Sequence, residues 1–196
     1  MAAIGKHVRQ LFERYRETLP EERRTVLDRY ELVDIARKVV GVGSVGTRCA
    51  VALLMAGPHD PLFLQFKQAQ ASVLEPYAGK SRYKNQGERV VTGQRMLQSA
   101  SDVFLGWTGD DQGHDFYFRQ LRDMRMKIDI EAMSKQDWFE YVELCGWVLA
   151  RAHARTGAPA WIAGYLGKSD VFDEAIEKFA IAYADQTERD YAAFAH

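Results

Sequence analysis

The sequence has little of several features that mark specialised classes of protein. Its 196 residues include only two cysteines, Cys49 and Cys145, which have no metal-ligand spacing, so a disulfide framework and a cysteine-based metal site are excluded. The longest apolar run, from Val51 to Gly57, is far too short to span a membrane. Lysine and arginine total 26 against 27 acidic residues, without the basic excess of a dedicated nucleic-acid binder.

The composition that remains is typical of a globular protein, with 47% hydrophobic and 27% charged residues. The first residues, MAAIGKH, lack the apolar core of a secretory signal, and two cysteines in apolar surroundings are typical of a reducing compartment. We therefore expect a cytoplasmic protein that binds neither nucleic acid nor a membrane.

Apolar periodicity predicts an α+β chain in three parts. Residues 1–36 form N-terminal helices, residues 37–125 alternate short apolar runs with turn-rich segments, and residues 126–196 form a C-terminal helical part. We predict an antiparallel sheet of about five strands with one inserted helix, flanked by the N- and C-terminal helices. The strands are placed at residues 38–43, 49–54, 61–67, 103–107 and 116–121, and the C-terminal helices at 138–154 and 171–193, with a loop or short helix between them.

A glycine-rich segment is the most informative motif. Gly41, Gly43 and Gly46 make a G-x-G-x-x-G pattern that also contains Ser44. Glycines let the backbone come close to phosphate oxygens and turn its N–H groups toward them. A dinucleotide-binding unit requires a helix at the last glycine, but a second strand is predicted there, which disfavours that alternative. The kinase-type loop, which joins two antiparallel strands and covers the phosphates, fits better.

The companion of a kinase-type loop is a lysine on the next strand, which pairs with the phosphates. Lys67 lies in the third predicted strand, after the apolar residues Leu64 and Phe66. A lysine in such a strand is costly unless it has a partner or reaches water. We therefore predict that Lys67 contacts phosphate, and the alternative is a lysine near the strand end that extends outward into solvent.

An acid on the following helix orients this lysine in kinases. The inserted helix is predicted over residues 86–101, and its buried face is formed by Val90, Gly93, Leu97 and Ala100. Glu88 has suitable spacing but lies opposite that face, whereas Gln94 lies on it but carries no charge. Glu75, which precedes the helix, is the other candidate, so the acidic partner of Lys67 stays open.

Five motifs follow one another along the chain, namely KVVGVGSVGTR at 38–48, LQFKQA at 64–69, RVVTGQR at 89–95, FRQLRDM at 118–124 and LARAHARTG at 149–157. Together they resemble the bacterial family known as domain of unknown function 2252, from about Asp34 to the C-terminus. Members of that family are similar to the protein-kinase-like fold, which includes aminoglycoside phosphotransferases. The resemblance implies that Gly41, Gly43, Ser44, Gly46 and Lys67 bind ATP with magnesium, and that residues 119–124 border the adenine.

The resemblance also implies what this chain lacks. Family members are normally much longer, and the half that precedes the glycine loop carries a Gly-Asp-x-His-x-x-Asn motif and an Asp-rich stretch, as in a circularly permuted kinase. Asn85 is the only asparagine here, and no aspartate lies five residues before it. A catalytic loop needs that pair.

We therefore expect a nucleotide-binding C-terminal half of a phosphotransferase that is inactive as this chain alone. Its partner would be a second copy, as a homodimer, or a separate polypeptide that supplies the missing half. The alternative is a non-catalytic interaction domain, derived from a kinase-like protein, that dimerises through an exposed apolar surface.

Overall fold

The computed structural model describes residues 5–38, 41, 45–121 and 128–195, and it confirms the predicted α+β fold. The described residues contain a five-stranded antiparallel sheet with helices before, within and after it. The helices are α1 (Lys6–Glu17), α2 (Glu21–Leu27), α3 (Glu75–Ala78), α4 (Gln86–Leu97), α5 (Lys135–Thr156), α6 (Pro159–Leu166) and α7 (Val171–Ala195). The strands are β1 (Glu31–Arg37), β2 (Cys49–Met55), β3 (Pro61–Ala69), β4 (Gly106–Gly109) and β5 (Asp115–Gln120).

The sheet has the strand order β1-β2-β3-β5-β4, and all neighbouring strands are antiparallel. Strands β1 to β3 follow one another along the chain as a meander. Helices α3 and α4 separate β3 from the β4–β5 hairpin, and this hairpin joins the sheet through β5. The two edges are therefore β1 and β4.

The first strand lies earlier than the sequence predicted. Residues 38–43 were expected to form it, but β1 covers Glu31–Arg37, and Lys38 and Gly41 are outside any strand. Residues 39–40 and 42–44 lie outside the described part of the chain. The prediction was wrong because β1 is an edge strand with charged residues at both ends and Asp34 in its middle, so it has no continuous apolar run. Its register also shifts between Leu32 and Asp34, which breaks the alternation that marks a strand.

The inserted helix is confirmed as α4, but its orientation differs from the prediction. Val91 is fully buried, whereas Leu97, which was predicted to be buried, is exposed. The reason is Gly87, whose Cα approaches the backbone of Phe116 so closely that this helix face must turn toward β5. The helical spacing alone fits either face, because valines occupy both positions 90 and 91.

The core lies between the sheet and the N-terminal helices. Tyr15 of α1 is fully buried, stacks on Phe118 of β5 with 4.1 Å between ring centroids, and donates a 2.7 Å hydrogen bond to the Phe104 carbonyl. Phe66 of β3 stacks on the same Phe118 ring at 5.0 Å. Buried leucines complete this layer, namely Leu11, Leu19, Leu27, Leu54, Leu62 and Leu64. The core therefore occupies the sheet face that bears the even-numbered residues of β3.

The chain divides into two compact units, Met1–Val148 and Leu149–His196. The first contains the sheet and its core. The second contains the end of α5 with α6 and α7, and Gly167, with a φ of +65°, ends α6. The predicted C-terminal helices are thus confirmed, and the segment between them is the short helix α6. No helix among the described residues has the length and apolarity needed to cross a membrane.

Candidate functional site

The glycine-rich segment connects β1 with β2. The hydrogen bond from the Lys38 N–H to the Cys49 carbonyl, 3.0 Å long, closes the base of this connection. Gly46 has a φ of +77°, a backbone conformation that side chains disfavour, so glycine is required in this turn. Gly41 is exposed, and Gly43 and Ser44 lie outside the described residues. The segment therefore joins two antiparallel strands.

The sheet face opposite the core bears a different set of side chains. Lys67 of β3 is directly opposite Cys49 of β2 and Tyr117 of β5, and Gln65 is directly opposite Arg119. Because directly opposed residues share a face and alternate residues of a strand do so too, all five lie on the face away from the core. We call these residues, Cys49, Gln65, Lys67, Tyr117 and Arg119, the cationic face.

Lys67 lies within β3 rather than at its end, and its side chain is half-buried. It makes no hydrogen bond and no ion pair with any other described residue. Neither Glu75 nor Glu88, the two candidate acids, forms a salt bridge with it. Lys67 is therefore a cation without a carboxylate partner in the described part of the chain, and its acidic partner remains unassigned.

Gln65 and Arg119 are joined by hydrogen bonds. The Gln65 side chain is almost fully buried, and its Oε1 accepts from Arg119 Nε at 3.4 Å and from Nη2 at 3.2 Å. Its Nε2 donates to Cys49 Sγ at 3.8 Å, which is the range of a sulfur acceptor. Sequence reasoning did not include Gln65 in the site, although a polar residue amid the apolar residues of a strand was the signal.

The pKa of the Cys49 thiol is influenced by the cations close to it. Burial raises the pKa of the Cys49 thiol, and three positive charges, those of Lys67, Lys38 and Arg119, act in the opposite direction. Burial likewise raises the pKa of Tyr117, and the nearby Arg119 partly offsets this. Three positive charges thus act on one buried thiol of β2.

A hydrogen-bonded cluster fixes the start of α4 to the first residue of β5, Asp115. Asn85 caps α4 by accepting from the Glu88 N–H, and its amide donates to Asp115 Oδ1 at 2.7 Å. The other oxygen of Asp115 accepts from the Gln86 N–H at 2.7 Å. Asn85, considered above only as a catalytic-loop residue, is therefore a helix cap. Helix α4, which carries Glu88, is held against the strand that carries Arg119.

Not every cation close to this sheet is unpaired. Arg48, immediately before β2, lies 3.6 Å from Asp110 in the β4–β5 hairpin. Asp110 also accepts hydrogen bonds from the N–H groups of Gln112 and His114 and from the His114 ring. Burial acts to raise the pKa of Asp110, but these hydrogen bonds outweigh it and the pKa is lowered. Arg48 is therefore part of a structural cluster rather than of the cationic face.

A model of one protein family matches residues 2–196, and its description is "Uncharacterized protein conserved in bacteria (DUF2252)". The chain belongs to this family. The sequence motifs placed the resemblance only from about Asp34 onward, and that limit was wrong, because the match also includes α1 and α2. The DUF2252 match thus covers nearly the whole of this chain. No curated protein and no solved structure matches the chain significantly.

The DUF2252 chain has a groove away from the cationic face. This groove of about 480 Å³ lies between α1 and the start of β1. Its lining has charges of both signs, and the residues are Arg9, Phe12, Glu13, Tyr30, Glu31 and Leu32. None of the residues that the sequence predicted for the site lies there. Across the described ranges, no three acidic, histidine or cysteine side chains are grouped so as to hold a metal ion.

Proposed function

We propose that the cationic face of this DUF2252 protein binds the phosphate groups of a nucleotide such as ATP. The observation that carries the proposal is the placement of three cations around Cys49. Lys67 is directly opposite Cys49, Arg119 is diagonal to Lys67 on the next strand, and the Lys38 N–H donates to the Cys49 carbonyl. Their charges all act to lower the pKa of the Cys49 thiol. No salt bridge among the described residues neutralises any of them. Like charges on one sheet face repel one another, and a bound anion relieves that repulsion.

The order of elements along the chain supports phosphate as the ligand. The glycine-rich connection joins two antiparallel strands, the lysine follows on the next strand, and helices α3 and α4, with one glutamate each, come after it. This is the order in which kinases place the phosphate flap, the phosphate-pairing lysine and the helix that orients it. In this proposal Gly41, Gly43, Ser44 and Gly46 cover the phosphates, and Lys67 pairs with them.

The proposal assigns binding rather than phosphoryl transfer to this chain alone. Phosphoryl transfer needs a positioning aspartate, an asparagine and a second metal-binding aspartate. Asn85, the only asparagine of the sequence, is occupied as the cap of α4. Magnesium therefore enters the proposal only as the companion of the phosphates, and a second polypeptide or a second copy would supply the acids for transfer.

Calorimetry with ATP and ADP in the presence of magnesium tests the proposal. Lys67→Ala should weaken binding by about tenfold or more, since a charge-assisted hydrogen bond contributes about 1.5–3 kcal/mol. Lys178→Ala is the matched control, because Lys178 is an exposed lysine on α7, and it should bind like the wild type. Absence of heat with both nucleotides, or equal weakening in the two variants, would contradict nucleotide binding at Lys67.

A second candidate function, an interaction domain that self-associates, is favoured by the apolar surface of the C-terminal helices. Trp161 and Tyr165 of α6 are 83% and 80% exposed, and Phe194 of α7 is 89% exposed. Exposed aromatic side chains of this size are typical of contact surfaces. Sedimentation alongside the calorimetry separates the candidates: a dimer without nucleotide heat supports self-association, and a monomer that binds nucleotide supports the first proposal.

A further inference from the structure

Gln65 occupies an unusual position for an uncharged polar side chain. It is 3% exposed, in the middle of the sheet, on the same face as two cations. A buried amide is costly unless its oxygen and its nitrogen both find partners. Its oxygen accepts from Arg119, and among the described residues its nitrogen has the weak acceptor Cys49 Sγ and no other. The stronger of its two interactions is therefore the one with Arg119.

The choice of an amide rather than a carboxylate matters for the charge of Arg119. Two guanidinium nitrogens converge on one amide oxygen, which fixes the plane of the guanidinium group. An amide oxygen carries no net charge, so it orients the guanidinium without neutralising it. A glutamate at position 65 would form the same two hydrogen bonds but would cancel the positive charge. Gln65 therefore presents Arg119 as an oriented and fully charged cation.

The sheet register places this cation beside Lys67. Gln65 pairs with Arg119 and Lys67 pairs with Tyr117, so Lys67 and Arg119 are diagonal neighbours on adjacent strands of one face. Diagonal neighbours have Cβ atoms about 7–8 Å apart, within reach of long side chains. Both charges act on the Cys49 thiol. Two cations so placed can each contact a different oxygen-bearing group of one extended anion.

We propose that Arg119 is a second anion ligand of the cationic face, positioned by Gln65, and that the site consequently selects a diphosphate unit over a single phosphate. This inference rests on the proposed function and adds to it the class of ligand. A diphosphate unit occurs both in a nucleoside diphosphate and in inorganic pyrophosphate, and the same chemistry recognises it in each. In this arrangement Lys67 holds one phosphate group and the three remaining N–H donors of Arg119 face the other.

Calorimetric titration of the full chain at low ionic strength with ADP, AMP, inorganic pyrophosphate and inorganic phosphate tests the inference. The wild type should bind ADP about tenfold or more tightly than AMP, and pyrophosphate about tenfold or more tightly than phosphate, because only the diphosphates reach both cations. Gln65→Glu should weaken ADP binding by about tenfold and reduce the ADP-to-AMP ratio below about threefold.

Two controls separate positioning from structural effects and from general charge effects. Gln65→Glu keeps both hydrogen bonds to Arg119, so its thermal unfolding midpoint should be unchanged or higher. If Gln65 had only a structural role, selectivity would be lost only together with stability. Gln70→Glu makes the same change of charge just after β3, where the side chain is exposed, and it should leave all four affinities unchanged. Arg119→Lys keeps the charge and loses the oriented guanidinium, and should also lose the preference for diphosphate.

The outcomes distinguish this inference from the proposed function. If Lys67→Ala weakens ADP binding but Gln65→Glu and Arg119→Lys do not, the second ligand is refuted and nucleotide binding stands. If pyrophosphate is bound with the predicted dependence on Gln65 but ADP is not bound, the second ligand stands and nucleotide binding is refuted. If the wild type binds none of the four, or binds AMP and ADP equally, the inference is overturned.

Discussion

The contact between α4 and β5 at Gly87 leads to the sharpest prediction on stability. A Cβ atom added at Gly87 would lie 2.1 Å from the carbonyl oxygen of Phe116 and 2.7 Å from its carbonyl carbon. Carbon–oxygen contacts settle at about 3.4 Å, so helix and strand would have to separate by more than about 1 Å. Because the obstructing atoms belong to the backbone of β5, an interior strand of the sheet, no side chain can rotate to make room.

The cost of Gly87→Ala follows from that displacement. Overpacking of this kind costs about 1–3 kcal/mol. The displacement also stretches the two hydrogen bonds that Asp115 accepts from Asn85 and from Gln86, with a net contribution of about 1 kcal/mol each. The higher helix propensity of alanine offsets at most about 1 kcal/mol. We therefore expect the free energy of unfolding to fall by about 2–4 kcal/mol.

Gly93 provides a matched control in the same helix. A Cβ atom there would meet no atom within 4 Å, so Gly93→Ala should stabilise the protein by up to about 1 kcal/mol through helix propensity. Urea denaturation followed by near-ultraviolet circular dichroism measures both variants. The reasoning fails if Gly87→Ala unfolds at the wild-type urea concentration, or if Gly93→Ala destabilises the protein as much as Gly87→Ala does.

Two further predictions concern ionisable groups. The lowered pKa of Asp110 means that its ionised form stabilises the fold above about pH 4 and that this contribution is lost as the pH falls through the lowered pKa. Asp110→Asn should therefore lower the melting temperature at pH 7, and the difference from wild type should shrink as the pH falls below about 4. A difference that does not depend on pH would contradict this. Because burial raises the pKa of the Cys49 thiol, iodoacetamide at about pH 8 should label the exposed Cys145 first, as peptide mass spectrometry would show. Equal labelling rates in the folded protein would argue against the buried position of Cys49.

The parts of the fold with strong apolar periodicity were predictable from the sequence. The runs that became β2 and β3 are dense in buried residues, and the long helices α5 and α7 have helical spacing over many turns. Strand β1 was misplaced because its neighbours in the sheet, rather than its own composition, make it a strand. The buried face of α4 was predicted wrongly for a similar reason, because the close approach of Gly87 to β5 is a tertiary contact.

The candidate site was predictable only in part. The glycine pattern and Lys67 are visible as a motif, because their spacing along the chain carries the signal. Arg119 and Gln65 are 54 positions apart, and only the pairing of β3 with β5 brings them together. Their relation depends on sheet register, which a single sequence does not specify for strands separated by a helix.

At each edge of the sheet, one backbone N–H group is hydrogen-bonded to a side chain. At β1, the Asp34 carboxylate accepts from the Ile35 N–H at 2.8 Å beside the register shift, so this edge amide is already bonded. At β4, the Trp107 N–H donates to the Thr18 hydroxyl of α1 at 3.0 Å. An unpaired edge is the usual template for fibril growth and for sheet extension between copies. These two hydrogen bonds would have to break before another strand could pair at Ile35 or at Trp107, so they disfavour extension of the sheet at those two amides.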